Sequence, residues 1–428
     1  MSVAGWLAAP LLLALLAAAG QVFAARLPGT AQQRLVVGFA GGALLLHGLL
    51  SLLDVAGWRW SAAVVLAALA ALAIAGLARR PWRELKPSAR PGWGDLVALL
   101  AVLGFGALAW TGWITIPDFI YHWGLKGHRF LLAGHVDYPF LAQPLGWVFH
   151  PDYPNLYPGL LSVTAMLAGW REPALLLWSP LLLILIAAGV RELLAAEGVT
   201  PLRRHAIVAF VAFACAGFGV GNLMAGAADW LPALALVAAL PALLAPPSTA
   251  GDVQLGICAA LAVGAKQEGL AMAVALVAVQ LSRRIWRRSR PGGRGLAALL
   301  APPALVVAYT WWRIAQHDLL QSYDKGLPTW DRFVVALTVI AKELGAPAWH
   351  GLALLLLALP LLLLVPRLRP FVAVAGLHLA GYLASCAGQD TDTRLLVVTT
   401  FTRIVLQVFP ATVAAMAVAL FAPPRAED

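Results

Sequence analysis

Apolar residues run in stretches of about 20 positions along nearly the whole chain, separated by short segments rich in arginine, glycine and proline. A stretch of that length, coiled as a helix, matches the ~30 Å hydrocarbon layer of a bilayer. Helix is also the conformation that lets such a stretch satisfy its own backbone in lipid. The pattern predicts an all-α, polytopic helical membrane protein with about 13 transmembrane helices. They fall at 4–24, 34–54, 58–78, 96–115, 173–193, 205–222, 229–246, 252–265, 269–283, 296–314, 349–366, 370–387 and 404–422. The spans at 252–265 and 269–283 are short for a full crossing, so the turn between them is expected to sit below the headgroups. A large outer loop, 116–158, is expected to carry juxtamembrane helices, with 156–169 lying at the interface. Residues 1–91 read as a three-helix transmembrane addition and 92–428 as the transmembrane core. The first apolar run resembles a signal peptide but lacks a basic leader and is followed at once by another span, so it reads as a retained helix. No internal repeat is visible, which weighs against an inverted-repeat transporter.

Composition agrees with this pattern. Hydrophobic residues make up 61% of the chain and charged residues 12%, where soluble domains carry roughly 25% charged. The net charge of +10 comes from arginines in short connections, where the positive-inside bias and anionic lipids favour them. Nucleic-acid binding is therefore not expected. The basic clusters are Arg79, Arg80, Arg83, Lys86 and Arg90, then Arg283 to Arg294, with weaker ones at Arg26/Arg34, Arg203/Arg204 and Arg367/Arg369. Placing them all on one side puts the N-terminus and loop 116–158 outside and the C-terminus, 425–428, inside. The reading is a multi-pass protein of a bacterial-type inner membrane with its chemistry on the outer face. Cys215, Cys258 and Cys386 lie in or beside apolar runs with no metal or disulfide spacing.

Polar residues concentrate in Asp118–Pro158, which holds His122, His128, His135 and His150 together with Tyr121, Tyr138, Tyr153 and Tyr157. Such clusters in a membrane protein mark functional sites by default. Asp118 reads either as a general base or as a helix cap. Tyr121, His122, Lys126 and Arg129 recur at helical spacing, as an anion-binding face or as snorkelling cations. In His150-Pro151-Asp152-Tyr153-Pro154, two prolines stiffen a loop presenting a carboxylate and an aromatic platform of the kind sugars bind. Asp118, His122, His150 and Asp152 could join around a divalent ion, but no spacing signature supports it, and no cofactor is expected. Asp229 opens a span as a cap or as a second acid of the same site. Lys266 and Glu268 occupy the sunken hairpin tip, either paired with each other or facing a phosphate. Arg403, on the outer side against the positive-inside trend, reads as a phosphate clamp or as a partner of Asp390 or Asp392. Trp113, Trp123, Trp147 and Trp230 read as interfacial anchors.

The order of these pieces resembles the GT-C superfamily of membrane glycosyltransferases, the group of protein O-mannosyltransferases and aminoarabinose transferases. Asp118 matches the outer acid after the first core helix, His150-Pro151 the segment closing the first loop, and AGAADWLP a GYADLP-like motif with Asp229. LAVGAKQEG, with Lys266 and Glu268, is similar to the GLAxLTKxEG motif, and Arg403 with Pro410 to the late arginine. Asp118 is followed by Phe119 rather than a second acid. The resemblance implies an inverting transferase that moves a sugar from a polyprenyl-phosphate donor to an envelope glycan, lipid or protein acceptor. Asp118 would serve as base, Lys266 and Arg403 would stabilise the leaving phosphate, and His122, Arg129, His150, Asp152, Tyr153, Asp229 and Glu268 would bind substrate. A transporter or flippase for an amphipathic lipid and a non-catalytic scaffold are the other classes open.

Overall fold

The structure, a computed structural model, describes residues 3–80, 89–112, 116–143, 150–216, 224–289, 292–319, 326–345, 351–389 and 392–424. Trp113, Trp147, Arg83, Lys86, Arg290, Asp390 and the C-terminal 425–428 lie outside them. The chain is an all-α polytopic membrane protein: it is 80% helical, with no strand among the described residues. Among the described residues, eight helices are long and apolar enough to cross a membrane, and 62–78, 156–168, 230–244, 249–265 and 352–364 form shorter apolar helices.

The principal helices are α1 (Val3–Ala19), α2 (Ala31–Val55), α3 (Ala62–Ala78), α4 (Trp93–Trp110), α5 (Gly124–Ala133), α6 (Leu156–Ala168), α7 (Trp178–Ala196) and α8 (Pro201–Ala216). They continue as α9 (Trp230–Leu244), α10 (Thr249–Ala265), α11 (Gly269–Trp286), α12 (Gly293–Gln316), α13 (Trp330–Glu343), α14 (Arg369–Gly388) and α15 (Thr393–Phe421). Their starts follow local chemistry. Thr30 and Gln33 form a capping box at α2, while Ser61 and Ser248 accept from the third backbone amide of α3 and α10.

Helix α9 is the centre, buried along its length apart from a partly covered Pro241, and α7, α10 and α15 pack around it. Close approach in lipid depends on small residues. A methyl placed on Gly42 of α2 would sit 1.9 Å from the Leu16 carbonyl oxygen, and one on Gly256 of α10 2.1 Å from that of Ala298. Any larger residue there separates the α1–α2 or α10–α12 pair.

The N-terminal helices are tied to the rest. Helix α2 packs on α10 and α7, and Asp54 at its end accepts hydrogen bonds from Tyr309 on α12 at 2.8 Å and from Tyr138. Helix α6, expected from its sequence as an interfacial segment, is enclosed by other helices. Residues 156–165 are all buried, packed by α5, α2 and α1. Its Ser162 and Thr164 hydroxyls turn inward, onto the Gly127 carbonyl and the Trp178 indole. Without a lipid-facing stripe on that stretch, α6 is held by protein.

Candidate functional site

The candidate site lies at the N-terminal end of the central helix, where three loops and the last helix converge. The segment before Asp118 is fastened to the segment before Asp229 by a backbone bond from the Ile116 amide to the Ala225 carbonyl, 3.2 Å. Asp118 leads into a wide i+5 turn, Phe119–Trp123, that runs directly into α5. Turns of this kind re-aim side chains and recur at functional sites. They put Asp118, His122 and Trp123 on one cavity wall.

That cavity has a volume of ≈ 210 Å³. Asp118, His122, His150 and Tyr153 line it from the outer loop, Lys266 and Glu268 from the α10–α11 turn, and Arg403 from α15. Arg403 donates to Asp118. One turn further along α15, the Gln407 amide donates to Asp229 at 2.7 Å. Lys266 Nζ lies 3.1 Å from Asp229 Oδ1 and 3.6 Å from Glu268. Two cations thus face three carboxylates, and two of these, Asp118 and Glu268, reach the cavity surface. Neither Asp118 nor Asp229 makes a side-chain capping bond to its following helix. The capping alternative for both therefore gives way to ion pairing. Arg403 Nε, His122 Nδ1 and Glu268 Oε2 are buried without hydrogen-bond partners among the described residues. Polar atoms in that state, around a cavity, are ones a ligand can satisfy.

The aromatic wall is built by the 150–154 loop. His150 takes a left-handed backbone conformation, φ +47°, which costs energy for a residue with a side chain. It stacks on Tyr153 at 4.5 Å and lies 4.2 Å from the His122 ring. Two cations hold this loop from behind. Lys126 Nζ donates to the His150 carbonyl at 3.1 Å, and Arg313 Nη2 to the Tyr153 carbonyl at 2.9 Å. Both side chains are wholly buried. Lys126 therefore neither snorkels nor presents an exposed anion-binding face, the two alternatives its sequence offered. Arg129 stays out of the cavity and pairs with Asp137 at 2.6 Å. Asp152 also turns away from the cavity and accepts from Gln267 at 2.5 Å, linking the loop to the α10–α11 turn.

Burial pushes the His122 imidazole down to about 4, an effect only partly opposed by Asp118 and reinforced by Lys126, Arg403 and Lys266. Burial, His122 and the same cations take His150 down to about 2. Both rings are neutral near pH 7 and supply hydrogen bonds or stacking rather than charge. Burial and then Arg313 lower the Lys126 ammonium to about 7, against Asp152. Among the described residues, no three His, Cys, Asp or Glu side chains are grouped to hold a metal ion.

A second cavity of ≈ 520 Å³ adjoins the first and shares Tyr153, Glu268, Tyr382, Ser385 and Gln389 with it. Leu270, Val274 and Leu377, on α11 and α14, and Trp311 on α12 make its wall mostly apolar. Val274 and Trp311 are exposed on the protein surface. Tyr382, Gln389, Thr400 and Gln407 escape a reading of the sequence because each is an uncharged residue in or beside an apolar helix. Arg313 escapes it because a lone cation near a helix end reads as a headgroup contact. No family model, curated protein or solved structure matches this chain.

Proposed function

We propose that this protein is an inverting glycosyltransferase of the GT-C type, taking a polyprenyl-phosphate sugar as donor. The observation that carries the reading is the junction of a small charged cavity with a larger, mostly apolar groove whose wall includes the exposed Val274 and Trp311. An amphipathic donor would place its phosphate and sugar in the first and its isoprenoid tail in the second. In this reading the donor phosphate engages Lys266 and Arg403, and Arg403 exchanges Asp118 for the phosphate. Asp118 is thereby released to accept the proton of the acceptor hydroxyl. The acceptor oxygen bonds to the anomeric carbon from the face opposite the phosphate. The phosphate leaves with the electron pair of the broken carbon–oxygen bond, its growing charge met by the two cations. His150 and Tyr153 offer a stacking face for the sugar. The acceptor is a glycan, lipid or protein hydroxyl of the cell envelope. About 13 crossings, with the cavity on the outer face of a bacterial-type inner membrane, complete the proposal.

The test is transfer of radiolabelled sugar from a polyprenyl-phosphate donor in proteoliposomes, against a panel of envelope acceptors. Asp118→Asn is expected to lower turnover by at least about 100-fold while leaving donor binding intact, the scale of losing a general base. Full activity in that variant would remove Asp118 from the base role.

A lipid transporter or flippase is the second reading. It draws on the apolar surface along α11 and α14, where Leu377 borders both the groove and a cleft at the far end of the pair. Movement of a labelled lipid between leaflets without sugar transfer would favour it.

A further inference from the structure

Helices α11 and α14 pack on each other, and their far end, away from the charged cavity, holds a cleft of ≈ 900 Å³. Helix α11 has 18 residues, so about 27 Å separates its two ends at ~1.5 Å per residue. That is close to one hydrocarbon thickness. Arg283, Arg287, Arg367 and Arg369 line the cleft, with Trp286, Ala373 and Leu377 among the apolar residues.

The arginines are not equivalent. Arg367 is met by Glu197 at 3.3 Å, and the neighbouring Arg284 by Asp252 at 2.5 Å. Among the described residues, no carboxylate pairs with Arg283, Arg287 or Arg369. Arg283 is nonetheless fixed in place. Its Nη1 donates to the Ala242 carbonyl at 3.1 Å and to Gln280 at 3.0 Å, and its Nη2 donates to the Ala245 carbonyl. These neutral acceptors orient the guanidinium and leave its charge unbalanced. Three positive charges with no carboxylate partner among the described residues therefore border an opening whose wall continues into apolar surface. Leu377 lies eight residues into α14 from Arg369, about 12 Å along the axis. Trp286 and Ile285 stand exposed beside the cleft, where an interfacial aromatic anchor belongs.

We propose that this cleft is a binding site for an anionic phospholipid. The phosphate sits among Arg283, Arg287 and Arg369, and the acyl chains run past Ala373 toward Leu377. Arginine forks match phosphate oxygens, and basic pockets between membrane helices select anionic headgroups. The apolar length beyond the arginines distinguishes a lipid from free phosphate, which would need only the charged rim. The inference does not depend on the transfer reading.

Native mass spectrometry of the full chain in detergent, with equal dioleoylphosphatidylglycerol and dioleoylphosphatidylcholine, tests it. The wild type is expected to retain the anionic lipid selectively, and millimolar inorganic phosphate should leave it bound. Arg287→Gln with Arg369→Gln should lower the selectivity at least about tenfold, since each such charge contributes about fivefold. Arg369 donates one hydrogen bond, from Nε to the Leu363 carbonyl at 3.0 Å, against the three made by Arg283. If that double variant fails to fold, Ala373→Trp, at an exposed position, blocks the chain path and should abolish retention by itself. Equal retention of both lipids by the wild type would overturn the proposal, as would unchanged selectivity in the double variant or undiminished binding in Ala373→Trp. Displacement by inorganic phosphate would also overturn it, by making the cleft a free-anion site.

Discussion

Arg403 and Asp118, 285 positions apart in the chain, form an ion pair at the wall of the charged cavity. The pair masks the proposed base in the resting protein and makes the proposed phosphate clamp its release. A variant at Arg403 therefore acts on both leaving-group stabilisation and the freeing of Asp118. Arg403→Gln is expected to lower turnover about 100- to 1000-fold, the scale of losing one preorganised donor. Arg403→Lys keeps the charge without the fork and should recover only part of it. Donor titrations at saturating acceptor check both. Turnover unchanged in Arg403→Gln would refute the clamp.

Lys266 and Asp229 are almost fully buried together. Removing one member of such a pair strands the other, at a cost of about 3–5 kcal/mol. Lys266→Met should therefore melt well below the wild type in detergent. Lys266→Met combined with Asp229→Asn should regain most of the stability but not the transfer activity. If activity returns with stability, Lys266 serves only the fold.

The depressed His122 value sets a pH window. Above the ordinary histidine value of 6.5, the ring is neutral in both folded and unfolded chains. As pH falls from 6.5 to about 4, the unfolded chain takes up a proton that the folded one refuses, so stability is lost over that interval. Melting temperature should drop across it, and His122→Gln should flatten part of the drop. An unchanged slope in the variant would assign the loss to other groups.

Lys126 and Arg313 hold the 150–154 loop through the carbonyls of His150 and Tyr153. As positioning residues they should affect binding more than chemistry. Lys126→Met is expected to raise the donor KM about tenfold with a smaller change in kcat. The lowered Lys126 value, about 7, adds a signature. Between pH 7 and the ordinary lysine range the unfolded chain binds the extra proton, so wild-type stability rises with pH there. The variant should lose that rise.

The apolar groove makes a prediction that separates tail from head. Val274 is exposed on its wall, so Val274→Trp should obstruct it without disturbing the core. KM should rise severalfold for a long polyprenyl donor and stay constant for a donor with a short isoprenoid. Equal effects on both would place the tail elsewhere.

Much of this molecule was legible before its structure. Lipid demands that each crossing satisfy its own backbone, so long apolar runs specify helices wherever they pack, and among the described residues eight are long enough to cross. Charge inside such runs is costly, which made Asp118, Lys266, Glu268 and Arg403 conspicuous. Partner choice was not legible. Arg403 meets Asp118 rather than its sequence neighbour Asp392, and Asp229 meets Lys266 and Gln407 rather than capping α9. Helical spacing gave Lys126 and Arg129 one face, yet one is sealed inside the protein and the other pairs with Asp137. The physical reason is the range of the interactions involved. Hydrophobicity and backbone satisfaction act along a single segment, so the sequence alone determined that the chain spans a membrane as helices. Ion pairs, buried hydrogen bonds and cavities require atoms from distant segments within a few ångströms, so tertiary packing alone decided which charges meet and where a ligand could fit.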